Sequence, residues 1–155
     1  MTIEVLEKIY KKHFRMVYRI CFLYMKQEAD ALDMVQDTFV KLFESNFCAE
    51  GEERTKAWLI VTASNTCKSH LRRNWRKKRA VFDEKWYEQK RAETDCSREV
   101  TEAILAMEEK YQLVTYLYYF EGYTTLEIGK MLQISASTVQ TRLAKARKIL
   151  KTELS

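Results

Sequence analysis

A chain of 155 residues with no proline and only three glycines has little with which to make tight turns. Average usage would place roughly eight prolines and eleven glycines in this length. Sheets need frequent reversals, and these draw on residues that preset φ or tolerate positive φ. Helices need neither, and proline would break them. The chain is therefore predicted to be all-α. Its length suits one domain or two small ones, and units of about 70 residues are marginal alone.

Apolar residues spaced by three and four place the helices. Leu6, Ile9, Tyr10, Phe14, Val17, Cys21 and Tyr24 make one stripe over residues 3–26. Leu32, Val35, Phe39 and Phe43 make another over 28–45, with Asp33, Gln36 and Asp37 on a neighbouring face. The run NFCAEGEERT, residues 46–55, breaks the pattern and reads as a loop. A third helix over 56–76 opens on Trp58 and Leu59, turns polar at Asn65, Lys68 and His70, and ends basic. Residues 68–79 hold seven Lys or Arg and no acid. Residues 80–99 mix four basic with six acidic side chains and read as a linker, partly helical around 82–87. Helix resumes over 100–107, and Tyr111, Val114, Leu117 and Tyr118 extend an apolar face. The expected architecture is two small helical domains, a three-to-four-helix bundle over 1–79 and a helix-turn-helix domain over 100–155, joined by the linker 80–99.

Residues 124–150, TTLEIGKMLQISASTVQTRLAKARKIL, carry the helix-turn-helix. Ile128, Leu132, Ile134, Val139 and Leu143 fall where two short crossing helices need apolar side chains. Gly129 is small where they cross, and Glu121-Gly122-Tyr123 turns the chain into the motif. Ser135 suits the cap of the second helix. Gln133 sits where such turns often carry glycine, and a non-glycine residue at positive φ costs about 1 kcal/mol. The second helix presents Ser137, Thr138, Gln140, Thr141, Arg142, Lys145, Arg147 and Lys148, groups that bind phosphates and base edges. Gln140 suits adenine, and Thr141 several bases or the thymine methyl. Lys145 follows one turn later; Arg142 and Arg147 suit phosphates or acidic neighbours. Apolar spacing alone also fits an ordinary pair of packed helices. The near absence of acid in the second helix favours insertion into the major groove of duplex DNA.

Two other stretches carry candidate chemistry. Asp33, Gln36 and Asp37 suit docking on a basic partner helix, and equally a solvated face. Trp58, Trp75, Asn65, Lys68, Arg72, Arg73 and Arg76 combine rings, amides and cations, the mixture that holds single-stranded nucleic acid. Trp58 also fits a core position, and the basic run also fits a helix C-terminus. The net charge of +5 suits a polyanionic partner. Cysteines at 21, 48, 67 and 96 lack C-x-x-C spacing and read as reduced thiols, some of them in the core. His13 reads as a packing residue, and His70 as a phosphate contact. Neither has metal-site spacing, and no phosphate loop or nucleophile motif occurs. No catalytic, metal or cofactor site is expected. The start has no signal-peptide pattern, and no apolar run nears the roughly 20 residues of a membrane span. A cytoplasmic protein without membrane insertion is expected.

Taken in order, these segments resemble a bacterial extracytoplasmic-function (ECF) sigma factor of RNA polymerase. DALDMVQDTFVKLF resembles sigma region 2.2, and AWLIVTASNTCKSHLRR, residues 57–73, resembles regions 2.3 and 2.4. YQLVTYLYYFEGYTTLEIGKMLQISASTVQTRLAKARKIL resembles region 4. The resemblance implies an alternative sigma factor, with no catalytic site of its own and no cofactor. Such a protein binds core RNA polymerase and promoter DNA, recognises −35 and −10 elements and promotes melting. It implies that Asp33, Gln36 and Asp37 meet the β′ clamp helices and that the β flap is a further polymerase contact. The loop 47–54 would capture an unstacked −10 base. Asn65, Lys68, Arg72, Arg73 and Arg76 would contact −10 DNA. Gln140, Thr141, Ala144 and Lys145 match positions facing the −35 element, joined by Ser137, Thr138 and Arg142 as candidate contacts. Residues 80–99 would replace the longer region 3 of primary sigma factors. A membrane-linked anti-sigma factor is the further partner implied. The chain departs from the family pattern at Ser69, where Asp or Asn is frequent, at Glu108, where Pro is usual, and at Gly129, where Ala is usual.

Overall fold

The computed structural model describes residues 1–45, 47, 51–73 and 98–154. Among these, seven helices and no strand occur, so the chain is all-α, as its lack of proline and glycine predicts. The chain divides into two compact units, Met1–Phe82 and Asp83–Ser155. Of the expected linker, only residues 98 and 99 are described, and both belong to a helix. The rest of it, with Trp75, Arg76, Cys48 and Cys96, lies outside the described residues.

In the first unit α1 spans Ile3–Met25, α2 Glu28–Glu44 and α3 Glu52–Arg73. Thr2 caps α1 by accepting from the Val5 N–H at 3.2 Å, and Lys26 ends it in the left-handed region at φ 59°. The front of α1 is amphipathic, but from Met16 to Met25 every residue except Arg19 is buried. The segment MVYRICFLYM holds a single charge, and a helix apolar all round is a buried one. Phe22, Ile20, Leu42, Leu59 and Ile60 are fully buried, and each contributes about 1.5–3 kcal/mol relative to exposure. Two polar ties lock α3 to its neighbours. Tyr24 and Ser64 share a hydroxyl–hydroxyl bond of 2.8 Å, and Lys41 Nζ donates to Thr66 Oγ1 at 2.9 Å.

Two expectations need correction here. Residues 52–55 are the first turn of α3, not loop. Gly51, at φ +91°, ends the loop, and its carbonyl accepts from both the N–H and the hydroxyl of Thr55. Glu52 and Glu53 then suit the positive end of the helix, and Glu52 is paired with Lys12 of α1. That ion pair holds the Glu52 carboxyl below the usual range. The core stripe of α2 is also rotated. It runs Ala31, Met34, Val35, Thr38, Phe39 and Leu42, so Leu32 is half-buried and Phe43 is 44% exposed. Both sit one residue, about 100°, round the helix from core positions.

In the second unit α4 spans Arg98–Ala106, α5 Glu109–Tyr119, α6 Thr125–Leu132 and α7 Ala136–Leu154. Buried Gln112 donates its Nε2 to the carbonyls of Ile104 and Leu105 at 3.1 and 2.8 Å, closing the end of α4. Glu108 precedes α5 at φ −62°, close to the angle a proline ring imposes. Val114 and Leu117 are buried, but Tyr118, expected on the same face, is 37% exposed. Gly122 at φ +76° makes the turn into α6. Thr124 and Glu127 form a reciprocal capping box there. Hydrogen bonds donated by the Thr124 N–H and hydroxyl hold the Glu127 carboxyl below the usual range.

The turn between α6 and α7 is tight. Gln133 adopts φ 58°, as its place in the motif predicts, and the Ile134 N–H bonds the Gly129 carbonyl at 3.0 Å. A Cβ on Gly129 would stand 2.7 Å from the Ile134 carbonyl oxygen and 3.3 Å from the Ala136 nitrogen. Both are backbone atoms and move only with the turn. Gly129→Ala is therefore expected to destabilise this unit by about 1–2 kcal/mol, overpacking outweighing the helix propensity gained. Urea unfolding of the chain checks this, and an unchanged or raised midpoint would refute the close approach.

Candidate functional site

Three exposed faces stand out. On α2, Asp33, Gln36, Asp37, Val40, Phe43 and Glu44 are all exposed, and their spacing aligns them along one side of the helix. The buried stripe of α2 faces α1 and α3, leaving this side outward. Val40 and Phe43, at 50% and 44% exposure, add an apolar end to an acidic and amide-bearing start. Sequence reasoning found the polar half and assigned Phe43 to the core.

The second face lies on α3. Asn65, Arg72 and Arg73 are exposed and Lys68 half-buried, opposite buried Leu59, Ile60, Ala63 and Cys67. Ser69, where the resembled family often has an acid or amide, accepts from Arg72 Nη2 at 3.2 Å, so this departure keeps a local partner. Trp58 heads the same side of the helix, half-buried. Its ring centroid is 5.3 Å from that of Phe47. Of the 47–54 loop, Phe47 is thus packed on Trp58, residues 52–54 are helical, and 48–50 lie outside the described residues.

The third face is α7. Ser137, Gln140, Thr141, Ala144, Lys145, Arg147 and Lys148 are exposed, while Val139, Leu143 and Ala146 anchor the helix in the core. Ser135 caps it as predicted, accepting from the Thr138 N–H at 3.0 Å. The Thr138 hydroxyl is engaged with Ser135 at 2.8 Å, and the Thr141 hydroxyl donates to the Ser137 carbonyl. Thr138 thus serves the cap, while Gln140, Ala144 and Lys145 project freely along one side. No group of three or more metal-ligating side chains occurs among the described residues. None of their helices is long and apolar enough to cross a membrane.

Comparison with known proteins matches both units. Sigma-70 region 2 matches residues 9–77, and Sigma-70, region 4 matches residues 97–150. The chain belongs to the ECF sigma factors. It is 28% identical over 145 residues to the RNA polymerase sigma factor SigV of Bacillus subtilis, covering 92% of this chain and 86% of that protein. It is 22% identical over 154 residues to the ECF RNA polymerase sigma factor SigW of the same organism, covering 89% and 82%. The fold matches the sigma factor RpoE, solved with the anti-sigma factor NepR from Bartonella quintana, at TM-score 0.75 and 15% identity over 98% of both chains. As an alternative sigma factor the protein acts in transcription initiation.

Within this sigma factor the first and second faces belong to region 2 and the third to region 4. Arg76 of the candidate −10 set lies outside the described residues. Arg142 is half-buried. Arg147 is claimed by a partner that sequence spacing did not reveal, the Tyr119 hydroxyl on α5. Val40, Phe43 and Tyr119 are the functional candidates that sequence reasoning missed. Only the exposed apolar pair left a signal, since Phe43 follows Leu42 and a single helix stripe cannot bury both.

Proposed function

We propose that this sigma factor binds core RNA polymerase through α2, recognises a −10 element through α3 and a −35 element through α7, and promotes melting of the promoter DNA. Asp33, Gln36 and Asp37 dock on the β′ clamp helices, with Val40 and Phe43 extending the contact, and region 4 meets the β flap. Asn65, Lys68, Arg72 and Arg73 grip the DNA at the melting edge, with Arg76 continuing the basic run. Gln140, Thr141, Ala144 and Lys145 read −35 bases, flanked by Ser137, Thr138 and Arg142. An anti-sigma factor holds the protein inactive in the cytoplasm, as the NepR complex of RpoE suggests by likeness.

One observation carries this reading. Two compact units present different chemistry: an acidic and apolar docking stripe with a basic face in one, and a basic reading helix with no acid before Glu153 in the other. A stand-alone DNA-binding regulator has no use for the first. Core polymerase supplemented with the purified protein is expected to make transcripts from the cognate promoter. Gln140→Ala and Lys145→Ala are each expected to reduce promoter discrimination by about 1–3 kcal/mol per lost base contact. Failure to bind core polymerase at all would overturn the reading. Unaltered discrimination in both variants would remove α7 from it.

A further inference from the structure

Arg147 occupies an unusual position for an exposed cation. Its Nη1 donates to the Tyr119 hydroxyl at 3.1 Å across 28 residues of chain. Among the described residues this is its one polar partner. A phenol is neutral, so the guanidinium keeps its whole charge, which a carboxylate in the same place would have cancelled. The same hydrogen bond holds the Arg147 pKa above its ordinary value. Tyr119 is itself braced, its ring edge-on to that of Tyr118 at 4.9 Å and 82°. One N–H of Arg147 is committed, and the other four of its five donors stay available in a planar fork suited to phosphate.

The surroundings give that fork a direction. Arg147 stands seven residues after Gln140 and three after Ala144, on one side of α7. These three line a groove together with Tyr118, Thr124 and Thr125. The guanidinium therefore borders the surface that Gln140 and Ala144 present, and it is held there from a different helix.

We propose that this groove seats the sugar–phosphate backbone flanking the bases read by α7, that Arg147 is its phosphate-binding cation, and that Tyr119 is the positioning residue that aims it. The proposal rests on the promoter-reading role of α7. An arginine hydrogen-bonded to a tyrosine on another helix searches fewer rotamers than a free one, so less freedom is lost when phosphate arrives.

The test is −35 duplex binding by the holoenzyme across a salt series, with Arg147→Ala, Tyr119→Phe, the double variant and Gln140→Ala. Arg147→Ala is expected to weaken all promoter sequences alike and to lower the log–log salt slope by about 0.9. Tyr119→Phe should weaken binding by roughly two- to tenfold, the range of one ordinary hydrogen bond. Its slope and its thermal midpoint should stay unchanged. The double variant should bind no worse than Arg147→Ala, because Tyr119 acts only through Arg147. Gln140→Ala should instead lose affinity in a sequence-dependent way. An unchanged slope in Arg147→Ala, or additive effects in the double variant, would overturn the proposal while Gln140→Ala still reported promoter reading. A lowered midpoint with unchanged DNA binding in Tyr119→Phe would reduce the pair to a strap between α5 and α7. A holoenzyme that bound no −35 duplex would overturn the promoter role of α7 and this inference with it.

Discussion

Gln112→Leu is expected to remove a large share of the stability of the helix-turn-helix unit. Gln112 is only 1% exposed, and its Nε2 serves the Ile104 and Leu105 carbonyls together. These carbonyls end α4, and that of Ile104 also accepts from the Met107 N–H at 3.1 Å, so Gln112 adds to the closing turn. Leucine keeps much of the volume and removes both donors. Each of the two hydrogen bonds removed contributes about 0.5–1.5 kcal/mol. The substitution also removes Gln112 Oε1, a buried acceptor without a hydrogen-bond partner among the described residues, which returns part of that cost. A net loss of about 1–3 kcal/mol follows. A unit this small holds only roughly 3–5 kcal/mol in its core. Because α4 packs against both α5 and α7, its release also loosens the reading helix. Urea unfolding measures the loss. A change under about 0.5 kcal/mol, the range of an ordinary surface substitution, would show that the two carbonyls find water instead. In function, −35 duplex binding should fall in the variant while core polymerase binding through α2 persists.

The features legible in the sequence are those set by neighbours along the chain. The missing prolines and glycines pointed to helices everywhere. Within the motif, Gly129, Gln133 and Ser135 each announced a local backbone demand, and each meets it: close approach, left-handed φ and cap. The capping box of Thr124 and Glu127 was equally local and was passed over, although Thr-x-x-Glu is its ordinary signature. The start of α3 was misplaced because acidic residues after a glycine look like loop. Their fit to a helix N-terminus, and the Lys12 partner of Glu52, only emerge once α1 lies beside them. Phe43 was placed in the core because a step of four from Phe39 is as good a helix spacing as a step of three to Leu42. Only packing against α1 and α3 decides between them. Gln112 and the Tyr119–Arg147 pair were invisible for a plainer reason. Their partners lie seven, eight and 28 residues away and belong to other helices.

Asp37→Arg is expected to abolish productive binding of core polymerase with the fold intact. Asp37 is exposed, between Gln36 and the apolar pair Val40 and Phe43, and no side chain among the described residues bonds to it. Substitution at such a position changes stability by no more than about 0.5 kcal/mol. If the α2 stripe docks on a basic helix of polymerase, arginine turns an attraction into a like-charge contact in a closing interface. Losing one partner of such a buried charge pair costs about 2–5 kcal/mol, roughly 30- to several-thousand-fold in affinity. Phe43→Ala offers a contrast with a different physical signature. It removes apolar area without touching charge, so its smaller loss should hardly change with salt. The Asp37→Arg loss should shrink as salt weakens both the parent's attraction and the variant's repulsion during encounter. Fluorescence anisotropy of labelled protein titrated with core polymerase at two salt concentrations separates the two. Asp37→Arg binding core polymerase within twofold of the parent would remove α2 as the docking element. The same variant should still bind an isolated −35 duplex, because Gln140, Lys145 and Arg147 belong to the other folded unit. Transcription lost while duplex binding remains would therefore locate the defect at the polymerase contact and at neither DNA-reading face.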